Sequence, residues 1–203
     1  LEKEELLVQA TQAHRRHSEK AKNIGTIVHE WVQKYIESKI KNTPPPSLPL
    51  NPYIRKSVEA FLGWEKEKNI QFLETERKIY SQNYEYAGTL DAEAMMDNKL
   101  FVIDFKTSNA IHPEYFLQTA AYTYARYEET NLQYDDPWVI KIGKDGSLDV
   151  QQMKDWKRNF EVFLACLALY KWRNEEFKNH YLNHKNHYNE NNGQSQNGQL
   201  KDK

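Results

Sequence analysis

Apolar positions recur at helical spacing along residues 24 to 41. Ile24, Ile27, Val28, Trp31, Val32, Tyr35 and Ile36 form one stripe, which predicts an amphipathic helix with that stripe inward. Thr43-Pro44-Pro45-Pro46 ends it, because proline cannot continue a helix and restricts the residue before it. After a loop to about residue 50, the stripe Ile54, Val58, Phe61, Leu62 and Trp64 predicts a helix over 52–68. Ahead of both, residues 3–20 read as helical but highly polar.

The pattern then changes to strand periodicity. Residues 71–80, 86–96 and 100–107 read as three strands, with Asn83 and Asp97-Asn98-Lys99 supplying turn chemistry. His112-Pro113 opens a helix to about Glu129, proline being suited to a first turn. A hairpin around Lys144-Asp145-Gly146 joins strands over 137–143 and 147–150. A long helix follows over 151–178, with Phe160, Phe163, Leu164, Leu167 and Tyr170 inward. Helices before and after the strands, with one crossing among them, predict an α/β domain: a mixed β-sheet flanked by α-helices in two or three layers. That domain is expected over residues 1–182. From Asn183 to residue 203 the chain is rich in Asn, Gln, Gly and Lys, and a disordered polar tail is expected. His180, His184 and His187 are read with that tail rather than as metal ligands.

The 203 residues suffice for one domain with a sizeable core. No run approaches the length of a membrane span, and neither a signal peptide nor a membrane partner is expected. The first residue is Leu rather than Met, as expected of a piece trimmed from a longer chain. Cys166 is the only cysteine, which excludes an internal disulfide and any iron–sulfur cluster held by several cysteines of this chain. A reducing, cytoplasmic or nucleoid-associated setting is the natural expectation. The formal net charge of −1 gives no global attraction to nucleic acid, so basic groups would have to be gathered locally. His14-Arg15-Arg16-His17, with Lys20 and Lys22, is one such gathering; it reads equally as a phosphate contact or a solvated helix face.

Candidate chemistry lies in the middle of the strands. Asp104 and Lys106 interrupt the otherwise apolar run Phe101-Val102-Ile103-Asp104-Phe105-Lys106. Charges there are costly unless paired or bound to a metal. Side chains alternate faces along a strand, so an even loop after Met96 sets Asp91 opposite Asp104. It also gathers Leu90, Ala92, Ala94 and Met96 beside Phe101, Ile103 and Phe105. An odd loop would scatter acids and apolar groups over both faces. Two carboxylates about 4 Å apart at an effective dielectric near 20 repel by roughly 4 kcal/mol. Lys106 offsets part of this, and a divalent cation with hard oxygen ligands, Mg2+ or Mn2+, offsets more. The plain alternative is a Lys106–Asp104 ion pair in an ordinary sheet.

Other residues could join that cluster. His29 sits beside the apolar stripe of its helix, where a satisfied boundary histidine is the ordinary reading. Gly25 in the same helix would permit close packing on the sheet. Gln118 and Tyr122, with Tyr115, share one face of the helix after the third strand. They could hold the lysine or phosphate oxygens, or simply border the core. Trp31 and Trp64 read as core residues. Glu74 and Glu76 share one side of the first strand, and either could be near the site or on the surface.

Gly25-Thr26-Ile27-Val28-His29, Gly88-Thr89-Leu90-Asp91, Asp104-Phe105-Lys106-Thr107 and Gln118 with Tyr122 together resemble the PD-(D/E)xK nuclease superfamily. The likeness is to its RecB-like branch, which includes mitochondrial genome maintenance exonucleases, and it spans about residues 25 to 125. Asp-x-Lys alone is a weak signal; the ordered set is a strong one. The resemblance implies a restriction-endonuclease-like fold. It implies a metal held by His29, Asp91, Asp104 and the backbone carbonyl of Phe105, with Asp91, Asp104 and Lys106 catalytic. Lys106 would orient or activate water and stabilise developing charge. Gln118 and Tyr122 would form the supporting motif, Thr107 closes the Asp-x-Lys-Thr motif, and Glu76 matches a strand acid of some relatives. The family's proline is replaced by Leu90, and the cluster-binding cysteines of several relatives are missing.

The function so implied is a divalent-metal-dependent DNA exonuclease acting on single strands or DNA ends in recombination, repair or replication, with a helicase or recombinase as a possible partner. A structure-specific endonuclease uses the same chemistry. A non-catalytic DNA-binding or scaffold subunit would need fewer of these residues.

Overall fold

The structure, a computed structural model, describes the backbone of residues 23–194 and the side chains of residues 23–176. The polar segment 3–20 and the basic cluster around Arg15-Arg16 lie outside the described residues. So do the side chains of His180, His184 and His187.

The chain divides into two compact units, Leu1–Phe160 and Glu161–Lys203. In the first unit, α1 is described over residues 23–41. It is followed by α2 (Pro52–Lys68), β1 (Gln71–Ser81), β2 (Tyr86–Met96), β3 (Lys99–Lys106), α3 (Pro113–Thr130), β4 (Trp138–Ile142) and β5 (Leu148–Gln152). The helix bounds follow local chemistry. Asn51 Oδ1 accepts from the Tyr53 and Ile54 amides, Pro52 starts α2, and Asn69 ends it in the left-handed conformation. Pro113 and Asn131 do the same for α3.

The five strands lie in sequence order in one sheet. All neighbours are antiparallel except β3 and β4, which are parallel, with α3 as the crossover between them. The expected mixed α/β sheet with flanking helices is therefore present. On one face, Val28, Trp31, Val32 and Ile36 of α1 and Ile54, Val58, Phe61 and Trp64 of α2 pack over Ala92, Ala94, Phe101, Ile103, Phe105 and Ile140. Ile27, expected in that stripe, is 45% exposed. On the other face lies α3, whose Ala125 packs with Ile79 and Leu90. Arg126 of α3 donates to Glu93 of β2, and both are buried.

The loop after Met96 is even. Met96 pairs with Lys99, and the two turn residues Asp97 and Asn98 both have positive φ, 50° and 60°. That is the primed hairpin turn whose twist matches the strands. The register runs to Ala92↔Ile103, where the pairing of β2 with β3 ends one residue short of Asp91 and Asp104.

One expectation about this strand fails. Leu90 was placed on the face of Ala92 and Ala94, but it packs against α3 instead. Gly88 also faces α3, beside Tyr122. The alternation of β2 therefore changes phase at Asp91. In β1, Arg77 pairs with Leu90 and Thr75 with Ala92, while Glu76 between them has φ +49°. Both strands are irregular at this level, and β1 also shifts register between Phe72 and Glu74, which a strict period of two cannot anticipate.

In α4 (Trp156–Gln194), Trp156 and Phe160 are buried in the first unit, with Phe160 stacked on Tyr124 at 4.2 Å. In the second unit Tyr170, expected inward, is 66% exposed. The helix passes Asn183, where the tail was expected to begin, and continues to Gln194. No Gly or Pro occurs between Asn183 and Asn192 to stop it.

Candidate active site

The irregular level of the sheet is where the polar residues gather. β2 and β3 separate beyond Ala92↔Ile103, and the Asp91 carboxylate enters the fork. Its Oδ2 accepts from the Phe105 amide at 2.7 Å, while its own carbonyl accepts from Thr75 Oγ1 at 2.8 Å. The same Oδ2 lies 3.2 Å from His29 Nε2 of α1. Glu76 completes a half-buried triplet: one ligand atom each from His29, Glu76 and Asp91 lies within 4.8 Å of the other two. Glu76 holds its place through a left-handed backbone that non-glycine residues rarely adopt, the kind of strain that collects at functional sites.

Asp104 stands beside this triplet, 2% exposed, and is tied to Lys106. Lys106 Nζ donates to Asp104 Oδ1 and to Gln118 Oε1, both at 2.9 Å. The Lys106–Asp104 ion pair of the plain alternative is thus real, but it does not stand alone. Gln118 turns its other end to Tyr122, donating from Nε2 to the phenol oxygen at 2.8 Å. Lys106 Nζ also lies 4.7 Å from the centroid of the Tyr115 ring. Asp104 Oδ2 is 2.8 Å from Nζ, so the ammonium is its ion-pair partner, but it receives no hydrogen bond of its own.

Two glycines allow this packing. A methyl group at Gly25 would collide with Thr107 Oγ1, and one at Gly88 would collide with the Tyr122 ring. Each brings a backbone against the site where only hydrogen fits.

The electrostatics share one cause. Glu76 and Asp91 share the neighbourhood of His29, Asp104 feels the Asp91 charge, and Lys106 is paired with Asp104. Burial, then the Asp91 charge, pushes Asp104 up to about 7 against the opposing pull of Lys106. Burial and Asp91 likewise raise Glu76. The hydrogen bond to Asp91 raises His29 above its usual range, against its own desolvation. Every shift acts to reduce excess negative charge, which is what a bound cation would also do. An imidazole and two carboxylates in reach of one another, with Asp104 beside them, suit a hard divalent ion.

His29, Glu76, Asp91, Asp104, Lys106, Gln118 and Tyr122 are therefore brought into one neighbourhood. Thr107 and Phe105 line the adjoining cleft of about 530 Å3, together with His29, Lys106, Tyr115 and Lys144. The triplet of closest donors contains Glu76, whereas Asp104 engages Lys106. Trp31 and Trp64 are core residues, 8% and 6% exposed. The buried Glu93–Arg126 pair was not foreseen. Its signal was present, since Arg126 continues the four-residue spacing of Gln118 and Tyr122.

No protein-family model and no curated protein matches this chain. A crystal structure named "Putative exonuclease" from Eubacterium rectale is similar in fold, with a TM-score of 0.50 and 12% identity. The match covers 77% of this chain and 68% of that one. Among the described residues, no helix is long and apolar enough to cross a membrane.

Proposed function

We propose that this chain is a divalent-metal-dependent nuclease of the PD-(D/E)xK type, hydrolysing phosphodiester bonds of DNA. The observation that carries this reading is the junction of two sets at one strand fork. His29, Glu76 and Asp91 form a donor triplet, and Asp104, Lys106, Gln118 and Tyr122 form a hydrogen-bonded chain beside it. The likeness in fold to a protein named an exonuclease agrees with it.

His29, Glu76, Asp91, Asp104 Oδ2 and the Phe105 carbonyl are the groups that would hold Mg2+ or Mn2+. When bound, such an ion neutralises phosphate charge and makes water a usable nucleophile near neutral pH. The protein's own contribution is positioning. Asp104 Oδ1, Gln118 and the Tyr115 face fix Lys106, so that one ammonium can donate to a phosphate oxygen or to the attacking water. Tyr122 fixes the orientation of the Gln118 amide. His29 would have to be neutral to serve as a ligand, whereas its hydrogen bond to Asp91 favours the protonated form. The open cleft accommodates a single strand or a frayed end, and exonucleolytic action on such DNA in repair, recombination or replication is the specific form we favour. The activity belongs to the unit containing α1 to β5, since every residue named falls between His29 and Tyr122.

The test is digestion of end-labelled linear DNA and circular single-stranded DNA with magnesium, manganese or chelator. Cleavage of linear but not circular substrate, lost in chelator and in Asp104→Asn and Lys106→Ala, is expected. Full activity in both variants, or in chelator, would refute the site. Cleavage of the circle would make the enzyme an endonuclease.

A further inference from the structure

The cleft does not end at the carboxylates. A second polar groove of about 240 Å3 adjoins it, and the two share Thr107, Ser108 and Lys144. The second groove extends along the β4–β5 hairpin to Lys141 and Ser147. Lys141 and Lys144 are half-buried. Neither forms an ion pair among the described residues, although acids are close in sequence. Asp145 Oδ1 instead accepts from the Ser147 amide and hydroxyl at 2.9 and 2.7 Å. Asp149, which faces Lys141 across the hairpin, accepts from Gln151 at 3.3 Å. The two lysines thus line one groove with Asp145, whose carboxylate is engaged by Ser147 and forms an ion pair with neither of them.

The turn that carries Lys144 is held in place. Gly143 exchanges backbone hydrogen bonds with Ser147 and Gly146, and its carbonyl accepts from Ser57 Oγ of α2 at 2.8 Å. Lys144 is therefore presented from a braced turn rather than a loose loop, which reduces the ordering cost of a phosphate contact.

Resting on the nuclease reading above, we infer that Lys144 and Lys141 form a phosphate-binding track, which holds the backbone of the DNA strand on one side of the scissile bond. The expected ligand is a polynucleotide with successive phosphates, since the groove adjoins the cleft that His29 and Lys106 line. Lys144, which lines both cavities, holds the nearer phosphate and Lys141 the farther one. This places the strand over Thr107 and Ser108 and gives a protein with no positive net charge a local source of affinity.

The probe is a fluorescein-labelled oligothymidylate of about 20 nucleotides, bound by the whole chain in the Asp104→Asn background with magnesium and followed by anisotropy over a salt series. Each lost phosphate contact should reduce the slope of log affinity against log salt by about 0.7 for a single strand. Lys144→Ala and Lys144→Gln should each show that loss, Lys141→Ala/Lys144→Ala about twice it, and Lys144→Arg none. Lys66→Ala, on the exposed end of α2, is the control and should match its parent. If the parent binds and the enzyme cleaves, but the slope is unmoved in both Lys144 variants, the track is wrong and the nuclease reading stands. If the parent binds no DNA and the wild type cleaves none, both fall.

Discussion

Asp104→Asn should make the metal-free protein more stable while abolishing activity. A carboxyl group held at about 7 rather than near 4 disfavours the fold wherever it must ionise. Between those values the native state keeps a proton that the unfolded chain has lost, so stability falls as pH rises. At about 1.4 kcal/mol per pH unit, the whole interval amounts to about 4 kcal/mol above pH 7. Part of that cost is shared with Asp91, whose charge contributes to the shift, and a buried amide still needs partners. Recovery of about half, ~2 kcal/mol, is the reasonable expectation. Asparagine can keep the Oδ1 contact to Lys106, but its amide nitrogen would replace Oδ2, which lies 2.8 Å from the same ammonium, and this donor–donor contact limits the gain. For a domain of this size the gain corresponds to about 4 to 8 °C in Tm. Thermal unfolding in chelator, followed by circular dichroism at pH 8, 6 and 4, reads it directly. The gain should be full at pH 8, smaller at pH 6 and absent near pH 4, where both states of the wild type are protonated. Magnesium should then raise the wild-type Tm and leave the variant's unchanged. A variant less stable than wild type in chelator at pH 8, or a gain indifferent to pH, would show that Asp104 is not electrostatically frustrated.

Four further outcomes are expected. Magnesium binding should release protons and weaken as pH falls through about 7, because Asp104 and His29 must give up protons to bind; calorimetry in buffers of different ionisation enthalpy measures this, and pH-independent affinity would count against these ligands. Tyr115→Leu should lower kcat several-fold through loss of about 1 kcal/mol of cation–π contact with Lys106, while Tyr115→Phe keeps most activity; equal rates in both would remove Tyr115 from the argument. Gly88→Ala should displace Tyr122 and cost about 1 to 3 kcal/mol by overpacking, seen in urea unfolding together with reduced cleavage. Arg126→Met should cost about 3 to 5 kcal/mol by leaving Glu93 buried and unpaired, and Arg126→Met/Glu93→Leu should recover most of it; failure of the double variant to recover would assign the loss to packing.

What the sequence made legible depended on local chemistry. Asn51-Pro52 and Asn69 mark α2 because capping and left-handed termini are decided by a few adjacent residues. The even turn could be read because only it separates acids from apolar groups, and Asp97-Asn98 adopts the backbone that such a turn requires. Leu90 was misassigned because alternation presumes an unbroken strand. The break at Asp91 arises from a tertiary contact, a carboxylate taking the place of a backbone partner for Phe105. The positive φ of Glu76 left no mark in composition, so its closeness to His29 and Asp91 emerged only in three dimensions. Lys144 was visible as part of a turn, but nothing in its neighbours placed that turn beside the carboxylates.

The Gln118, Tyr122 and Arg126 face of α3 has a consequence for how the protein comes to life. One helix face fixes the lysine through Gln118 and locks itself to the sheet through Arg126. Until α3 has crossed over and docked, Lys106 has no amide to orient it and Glu93 no cation to bury it. His29 likewise waits for strands made later in synthesis. A chain emerging from the ribosome therefore carries all the residues of the proposed site without the assembled centre, since long-range contacts close last. The site and the completed fold therefore arrive in the same step, so that on the proposed reading no partly folded chain is active.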